Sequence, residues 1–232
     1  MKILNVADRV WLFDYDMTLY SDRAVLDSLD RRISLFVQKT LGISLEKASE
    51  IRREYLHTFG TTLAGLVALH GVRPDDYFDF IHEPSTLVYP EFSFEKLQML
   101  DSILGPKYVF TNGRSDWSRK GISLMKISGC FRRVIGLEDL GWKGKPSASA
   151  YEKMEEVLFS DGAICRGESP EKIILLDDSL KNLKPACDRG WTTVWVHPES
   201  DADSSFVSGR ISNLFGLCEI LEPAIKLSLH HA

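Results

Sequence analysis

The stretch that decides the fold is R-V-W-L-F-D-Y-D-M-T-L-Y, Arg9 to Tyr20. Val10, Trp11, Leu12 and Phe13 make a short, unbroken apolar run, the pattern of a parallel strand buried on both faces. The run breaks off at Asp14, and a second carboxylate, Asp16, and a hydroxyl, Thr18, follow at once. A buried strand that delivers two aspartates at its C-terminal end places charge where α/β sheets hold ligands, beyond the carboxyl ends of the strands. Carboxylates this close repel, and need a cation between them or a proton on one. A hard divalent ion such as Mg2+, held by few protein oxygens, meets that need. The plain alternative is a strand that ends in a turn, where aspartates are common.

Beyond Tyr20 the texture turns helical. Ala24 to Leu41 carries apolar residues at helical spacing and is closed by Gly42. Ser44 is placed to cap a second helix through Phe59, and Thr61 or Thr62 a third through His70, with Gly71 after it. Pro74 opens a short fourth helix. No strand pattern returns before Tyr108, so residues 21–89 read as an all-helical insert between two strands of one sheet. From there helix and strand alternate. Strands are expected at Lys107–Phe110, Arg133–Ile135, Lys172–Leu176 and, as the last one, Thr192–Val196. Helices are expected at Ser93–Leu104, Trp117–Ile127, Ser147–Phe159 and Leu180–Arg189. This alternation argues an α/β, Rossmann-like parallel sheet covered by helices, built from residues 1–20 and 90–232. Leu227 to Ala232, with His230 and His231, is expected to be loosely held.

Bulk properties narrow the classes. A chain of 232 residues, 44% hydrophobic and 26% charged, suits one large domain or a core with a smaller domain. The net charge of −5 is spread over mixed acids and bases, and the lack of a basic stripe argues against polymeric nucleic acid as a partner. The N-terminus, M-K-I-L-N-V-A-D-R-V, is charged too early for a signal peptide. No apolar stretch approaches the roughly 20 residues of a membrane span. Cys130, Cys165, Cys187 and Cys218 are scattered, which suggests reduced, buried thiols. These features describe a cytoplasmic, enzyme-sized chain, expected as monomer or homodimer.

Three of the expected strands end alike, in Asp14 and Asp16, in Thr111 and Asn112, and in Asp177 and Asp178. In a parallel sheet these ends share one edge and can converge. Between the last two lies K-G-K-P, Lys143 to Pro146, just ahead of a helix start. A lysine there is well placed for an anion, because first-turn amides also point outward. Carboxylates for a metal, a nucleophile, hydroxyl and amide donors and one cation make up a kit for phosphoryl transfer through a carboxylate.

In these motifs, D-Y-D-M-T at Asp14, F-T-N-G at Thr111, K-P at Lys145 and L-L-D-D-S at Asp177, the sequence resembles the haloacid dehalogenase superfamily of hydrolases. The resemblance implies an α/β core with a movable helical cap, and Mg2+ as cofactor. It makes Asp14 the nucleophile that forms an aspartyl phosphate, and Asp16 the acid and then base of the two half-reactions. An aspartate two residues after the nucleophile separates the family's phosphatases and mutases from its dehalogenases and transport ATPases. Thr111 and the Asn112 amide would hold phosphate oxygens, and Lys145 would neutralise nucleophile and phosphate. Asp14, Asp178 and the main-chain carbonyl of Asp16 would hold the metal, with Asp177 a further ligand or a partner behind it. Two departures stand out: Met17, where the family often has a small or polar residue, and Lys143, a second candidate for the lysine, less favoured because Pro146 follows Lys145.

Within the superfamily the pyrimidine 5′-nucleotidase-like group is most similar, through F-D-Y-D-M-T-L-Y, Y-L-H-T-F-G-T-T-L-A-G-L at Tyr55, H-G-V-R-P-D-D-Y at His70 and L-D-D-S-L-K-N-L at Leu176. The expected substrate is a small phosphorylated metabolite, a nucleoside 5′-monophosphate first. A sugar phosphate or a pyridoxal phosphate-type metabolite, a phosphomutase, and a catalytically silent binding protein are the alternatives. Tyr20, Thr61 and Thr62 are candidates to touch substrate. Against that, Thr61 and Thr62 can simply cap a helix.

Overall fold

Six parallel strands form one sheet: β1 (Val10–Phe13), β2 (Lys107–Phe110), β3 (Arg133–Ile135), β4 (Ile173–Asp177), β5 (Thr192–Val196) and β6 (Gly209–Ile211). Their order is β3-β2-β1-β4-β5-β6, so the chain winds outward in one direction from β1 and then in the other. The structure, a computed structural model, describes residues 8–83, 86–198 and 204–219. It divides into two units, Met1–Ser21 with Glu91–Ala232, which holds the sheet, and Asp22–Pro90, which is helical.

β1 is central because every one of its residues can be buried. Val10 and Leu12 point to one face, where they pack with Tyr108, Phe110, Ile173 and Leu175 beneath α7 (Ala148–Ser160) and α8 (Leu180–Asp188). Strand alternation sends Trp11 and Phe13 to the other face. There Phe13 meets Phe131 edge-on at 5.8 Å, and the Trp11 indole donates to the Leu104 carbonyl at 2.9 Å. The register pairs Phe13 with Val109 of β2 and with Leu176 of β4, which brings the ends of the three strands level.

The helical unit contains α1 (Arg23–Leu41), α2 (Leu45–Phe59), α3 (Thr62–His70) and α4 (Pro74–Ile81). Its punctuation is local. Asp22, Ser44 and Thr61 accept first-turn amides of α1, α2 and α3, and Gly42, Gly60 and Gly71 take left-handed conformations at the three ends. Arg52 of α2 pairs with Asp30 of α1 at 2.6 Å. The Thr62 hydroxyl donates to the Arg52 carbonyl at 3.2 Å, and Phe36 meets Tyr77 edge-on. α2 and α3 approach through Gly65, which lies under the Tyr55 ring.

Three features differ from the sequence reading. The sheet does not end at β5: β6 adds a sixth strand, through Ser208 N–H to Thr193 O and His197 N–H to Ile211 O, both 2.9 Å. Three residues, G-R-I, carry no strand pattern of their own, and only the pairing with β5 makes them one. The helix expected to begin at Trp117 begins at Ser115 instead (α6, Ser115–Leu124), because the distant Glu138 carboxylate receives the Ser115 N–H. The cysteines are free thiols, yet none is buried; Cys165 is exposed and the others are half-buried. The loose tail expected at 227–232 lies outside the described residues.

A Cβ added at Gly65 would stand 2.5 Å from Tyr55 Cγ, at the root of a buried ring that cannot swing away. Gly65→Ala should therefore lower stability by about 1–3 kcal/mol in urea unfolding, whereas an unhindered helical Gly→Ala raises it by about 1 kcal/mol.

Candidate active site

The three level strand ends carry the chemistry. Asp14 follows β1 and continues its ladder through its N–H to Leu176 O at 2.9 Å. Thr111 follows β2 and donates its N–H to Ile135 O at 3.1 Å. Asp177 is the last residue of β4, with Asp178 next. Carboxylate oxygens of Asp14, Asp177 and Asp178 all lie within 4.8 Å of one another.

Lys145 enters this cluster from the loop before α7 and is 1% exposed. Its ammonium donates to Asp14 Oδ1 at 3.0 Å, to Asp177 Oδ2 at 2.6 Å and to Phe110 O at 2.6 Å. Three protons meet three acceptors, one from each strand end. Burial alone would lower the Lys145 pKa, but the Asp14 and Asp177 carboxylates outweigh it and hold the ammonium above its ordinary value. Lys143, the other candidate, is exposed.

Asn112 fixes that lysine. Its carboxamide donates to Lys145 O and accepts from Lys145 N–H, both at 2.8 Å. Of the three residues expected at phosphate, Thr111, Asn112 and Lys145, the last two are joined to each other here. The Asn112 carboxamide grips the lysine backbone and the ammonium serves three protein oxygens. Thr111 Oγ1 accepts from Gly113 N–H at 3.0 Å, which leaves its own proton to donate.

Asp177 is a hub. Its oxygens accept from Lys145, from Ser179 N–H at 2.9 Å and from the Asn182 carboxamide at 2.9 and 3.1 Å. Asp178 is held by its main chain, whose carbonyl accepts from the Trp195 indole at 2.8 Å. Asn182, Trp195 and Glu138 escaped the sequence reading as site residues. The one local signal was the asparagine in the first turn of the helix after Asp177-Asp178.

Tyr20 is buried and donates its hydroxyl to Asp16 Oδ1. Burial and the Asp16 charge push the phenol far above its ordinary pKa, so it stays a donor. Thr61 Oγ1 accepts from Ala64 N–H at 3.0 Å, the cap of α3, and Thr62 is buried on Arg52 O. All three hydroxyls candidate for substrate are thus engaged within their own units.

The charge count tests the expected metal. Asp14, Asp177 and Asp178 bring three negative charges, and Lys145 returns one. Burial, opposed by Lys145 and reinforced by Asp177, Asp178 and Asp16, raises the Asp14 pKa well above its ordinary value. Burial and the neighbouring Asp177 push Asp178 up to about 7. A buried excess of two negative charges on hard oxygen donors fits a divalent cation such as Mg2+.

No family model matches the chain. Solved structures do. A HAD phosphatase from Thermococcus onnurineus is similar at 22% identity and TM-score 0.61, over 92% of this chain and 97% of that one. The HAD-hydrolase YfnB from Bacillus subtilis, determined bound to magnesium, is similar at 18% identity and TM-score 0.59, over 93% and 99%. The L-2-haloacid dehalogenase from Xanthobacter autotrophicus is similar at 16% identity and TM-score 0.55, over 92% and 98%. The fold is that of the haloacid dehalogenase superfamily. No helix among the described residues is long and apolar enough to cross a membrane.

Two outcomes follow from the charges. Lys145→Met leaves two buried carboxylates without their cation, and should cost about 3–5 kcal/mol in urea unfolding at neutral pH in chelator. Asp178, raised from 3.8 to about 7, binds its proton in the folded state while the unfolded chain has lost it. The stability this gives is complete below the unfolded value and is lost as pH rises through the folded one. In chelator the melting temperature should thus fall as pH rises from about 4 to 7. The fall should be shallower in Asp178→Asn.

Proposed function

We propose that the protein is a Mg2+-dependent phosphomonoesterase that works through an aspartyl phosphate, with a nucleoside 5′-monophosphate as its first-choice substrate class. The observation that carries the reading is the pairing of Asp14, held by buried Lys145 at 3.0 Å, with a second aspartate, Asp16, two residues later. A dehalogenase needs no acid at that position. A phosphatase does, because an alkoxide leaves poorly without a proton.

Each residue has a task in this reading. An Asp14 oxygen attacks phosphorus as the ester bond to the leaving oxygen breaks, and Asp16 gives that oxygen its proton. Asp16 then takes a proton from water, which attacks the phosphorus of the acyl phosphate and returns Asp14 as carboxylate with inorganic phosphate released. Lys145 holds Asp14 in its attacking position and offsets its charge. The Thr111 hydroxyl donates to a phosphate oxygen. Asp14, Asp178 and the Asp16 carbonyl would hold the cation, with Asp177 anchoring Lys145 beside them; the cation, when bound, draws charge from the phosphoryl oxygens. Substrate choice falls to the helical unit, in keeping with the likeness of Y-L-H-T-F-G-T-T-L-A-G-L to the pyrimidine 5′-nucleotidase-like group.

The test is phosphate release from UMP, CMP, dTMP, AMP, GMP, sugar phosphates and pyridoxal phosphate, with Mg2+ and with chelator. Release that needs Mg2+ and favours the pyrimidine nucleotides is expected, as is its loss in Asp14→Asn with an unchanged circular dichroism spectrum. Release concentrated on sugar phosphates would overturn the substrate class, and full activity in Asp14→Asn would overturn the mechanism.

A further inference from the structure

We propose that Tyr20 is a positioning residue for the general acid, holding the Asp16 carboxylate by one oxygen so that the other is turned to the Thr111–Gly113 turn. The proposal rests on the phosphatase reading above. An aspartate carboxyl turns freely about its last torsion, which is broad and nearly two-fold, so its two oxygens are equivalent until a partner distinguishes them. Tyr20 is such a partner, through the hydroxyl it donates to Oδ1. The other oxygen, Oδ2, lies over the Thr111–Gly113 turn: a Cβ at Gly113 would be 3.7 Å from it and 3.4 Å from Thr111 Oγ1. That oxygen faces the same turn as the phosphate-holding hydroxyl.

The phenol is itself held rigidly. Tyr20 is 3% exposed, and its ring meets the fully buried Tyr15 edge-on with centroids 5.1 Å apart. The Tyr15 hydroxyl lies against Gly121 of α6, where an added Cβ would come within 1.6 Å of it. The chain between the two tyrosines is folded back by Met17, in the left-handed region at φ 59°, and closed by Leu19 N–H to Tyr15 O at 3.1 Å. A glycine-backed aromatic pair thus delivers one hydroxyl to one carboxylate oxygen. Such a buried tyrosine is poorly placed to touch substrate, the role the sequence offered it.

Tyr20→Phe keeps the ring and removes the donor. The readout is kcat/KM, which ends with phosphoryl transfer to Asp14 and does not sense the later hydrolysis. Two substrates are compared: the best alkyl phosphate of the panel, whose leaving oxygen needs a proton, and p-nitrophenyl phosphate, whose leaving group departs without one. Tyr20→Phe should lose about tenfold or more on the alkyl ester and no more than about twofold on the aryl ester. In an Asp16→Asn background, it should cause no further loss on the alkyl ester. Equal losses on both esters, no loss on either, or additive losses in the double variant would overturn the role of Tyr20 while leaving the phosphatase intact. A wild-type protein that hydrolyses neither ester would instead overturn the underlying reading.

Discussion

The structure depends on one buried cation. Lys145 lies among a carboxylate from the end of β1, a carboxylate from the end of β4 and the terminal carbonyl of β2. Removing an ammonium and two carboxylates from water carries a large desolvation penalty, which is offset only when every proton finds an acceptor in good geometry. That requirement fixes the register of three strands, because a slip of one residue would send the carboxylate of β1 or β4 to the other face and turn the β2 carbonyl away. It also fixes the loop before α7, which has to deliver the lysine from the side. The Asn112 carboxamide meets this need by pairing with both main-chain groups of Lys145, as a neighbouring strand would.

The parts of this arrangement that the sequence disclosed are those governed by burial. V-W-L-F, K-Y-V-F and I-I-L-L announce strands covered on both faces, and the polar residue that ends each run announces the edge where they converge. The choice of Lys145 over Lys143 also followed from sequence, since only one of them adjoins the proline ahead of α7. What stayed hidden are commitments between residues distant in the chain. Nothing in F-T-N-G shows that the Asn112 carboxamide pairs with the main chain of Lys145. Nor does L-L-D-D-S show that Asp177 is shared by Asn182, Ser179 and Lys145. Glu138 gives no sign that it caps a helix that begins at Ser115, and G-R-I becomes β6 only beside β5. In each case a hydrogen bond set by the tertiary fold decides the role, and no periodicity records it.

The helical unit shows the opposite balance. Its helix starts and stops are written in short-range chemistry, a hydroxyl or carboxylate before three of the four first turns, a proline in the fourth, and a left-handed glycine after each of three last turns. The same clarity makes its functional residues hard to separate from structural ones, because a threonine that caps a helix resembles one that faces a ligand. Thr61 and Thr62 both serve the helices: one holds the start of α3, and the other ties α3 to α2.

The Asn112 clamp also bears on how the protein ages. Asn112 is followed by Gly113, the pair of residues most prone to deamidation, in which the glycine nitrogen attacks the asparagine side chain to form a cyclic imide. Here the nitrogen is drawn to Thr111 Oγ1 and the carboxamide is tied at both of its polar ends. The native fold therefore shields the bond that an unfolded chain would expose. Once converted to aspartate, the side chain could no longer donate to the Lys145 carbonyl, and it would add a negative charge to a cluster already carrying two in excess. A change at this single side chain would accordingly reach Lys145 and, through its ammonium, both Asp14 and Asp177, so that the integrity of the whole charged cluster depends on how seldom this turn opens.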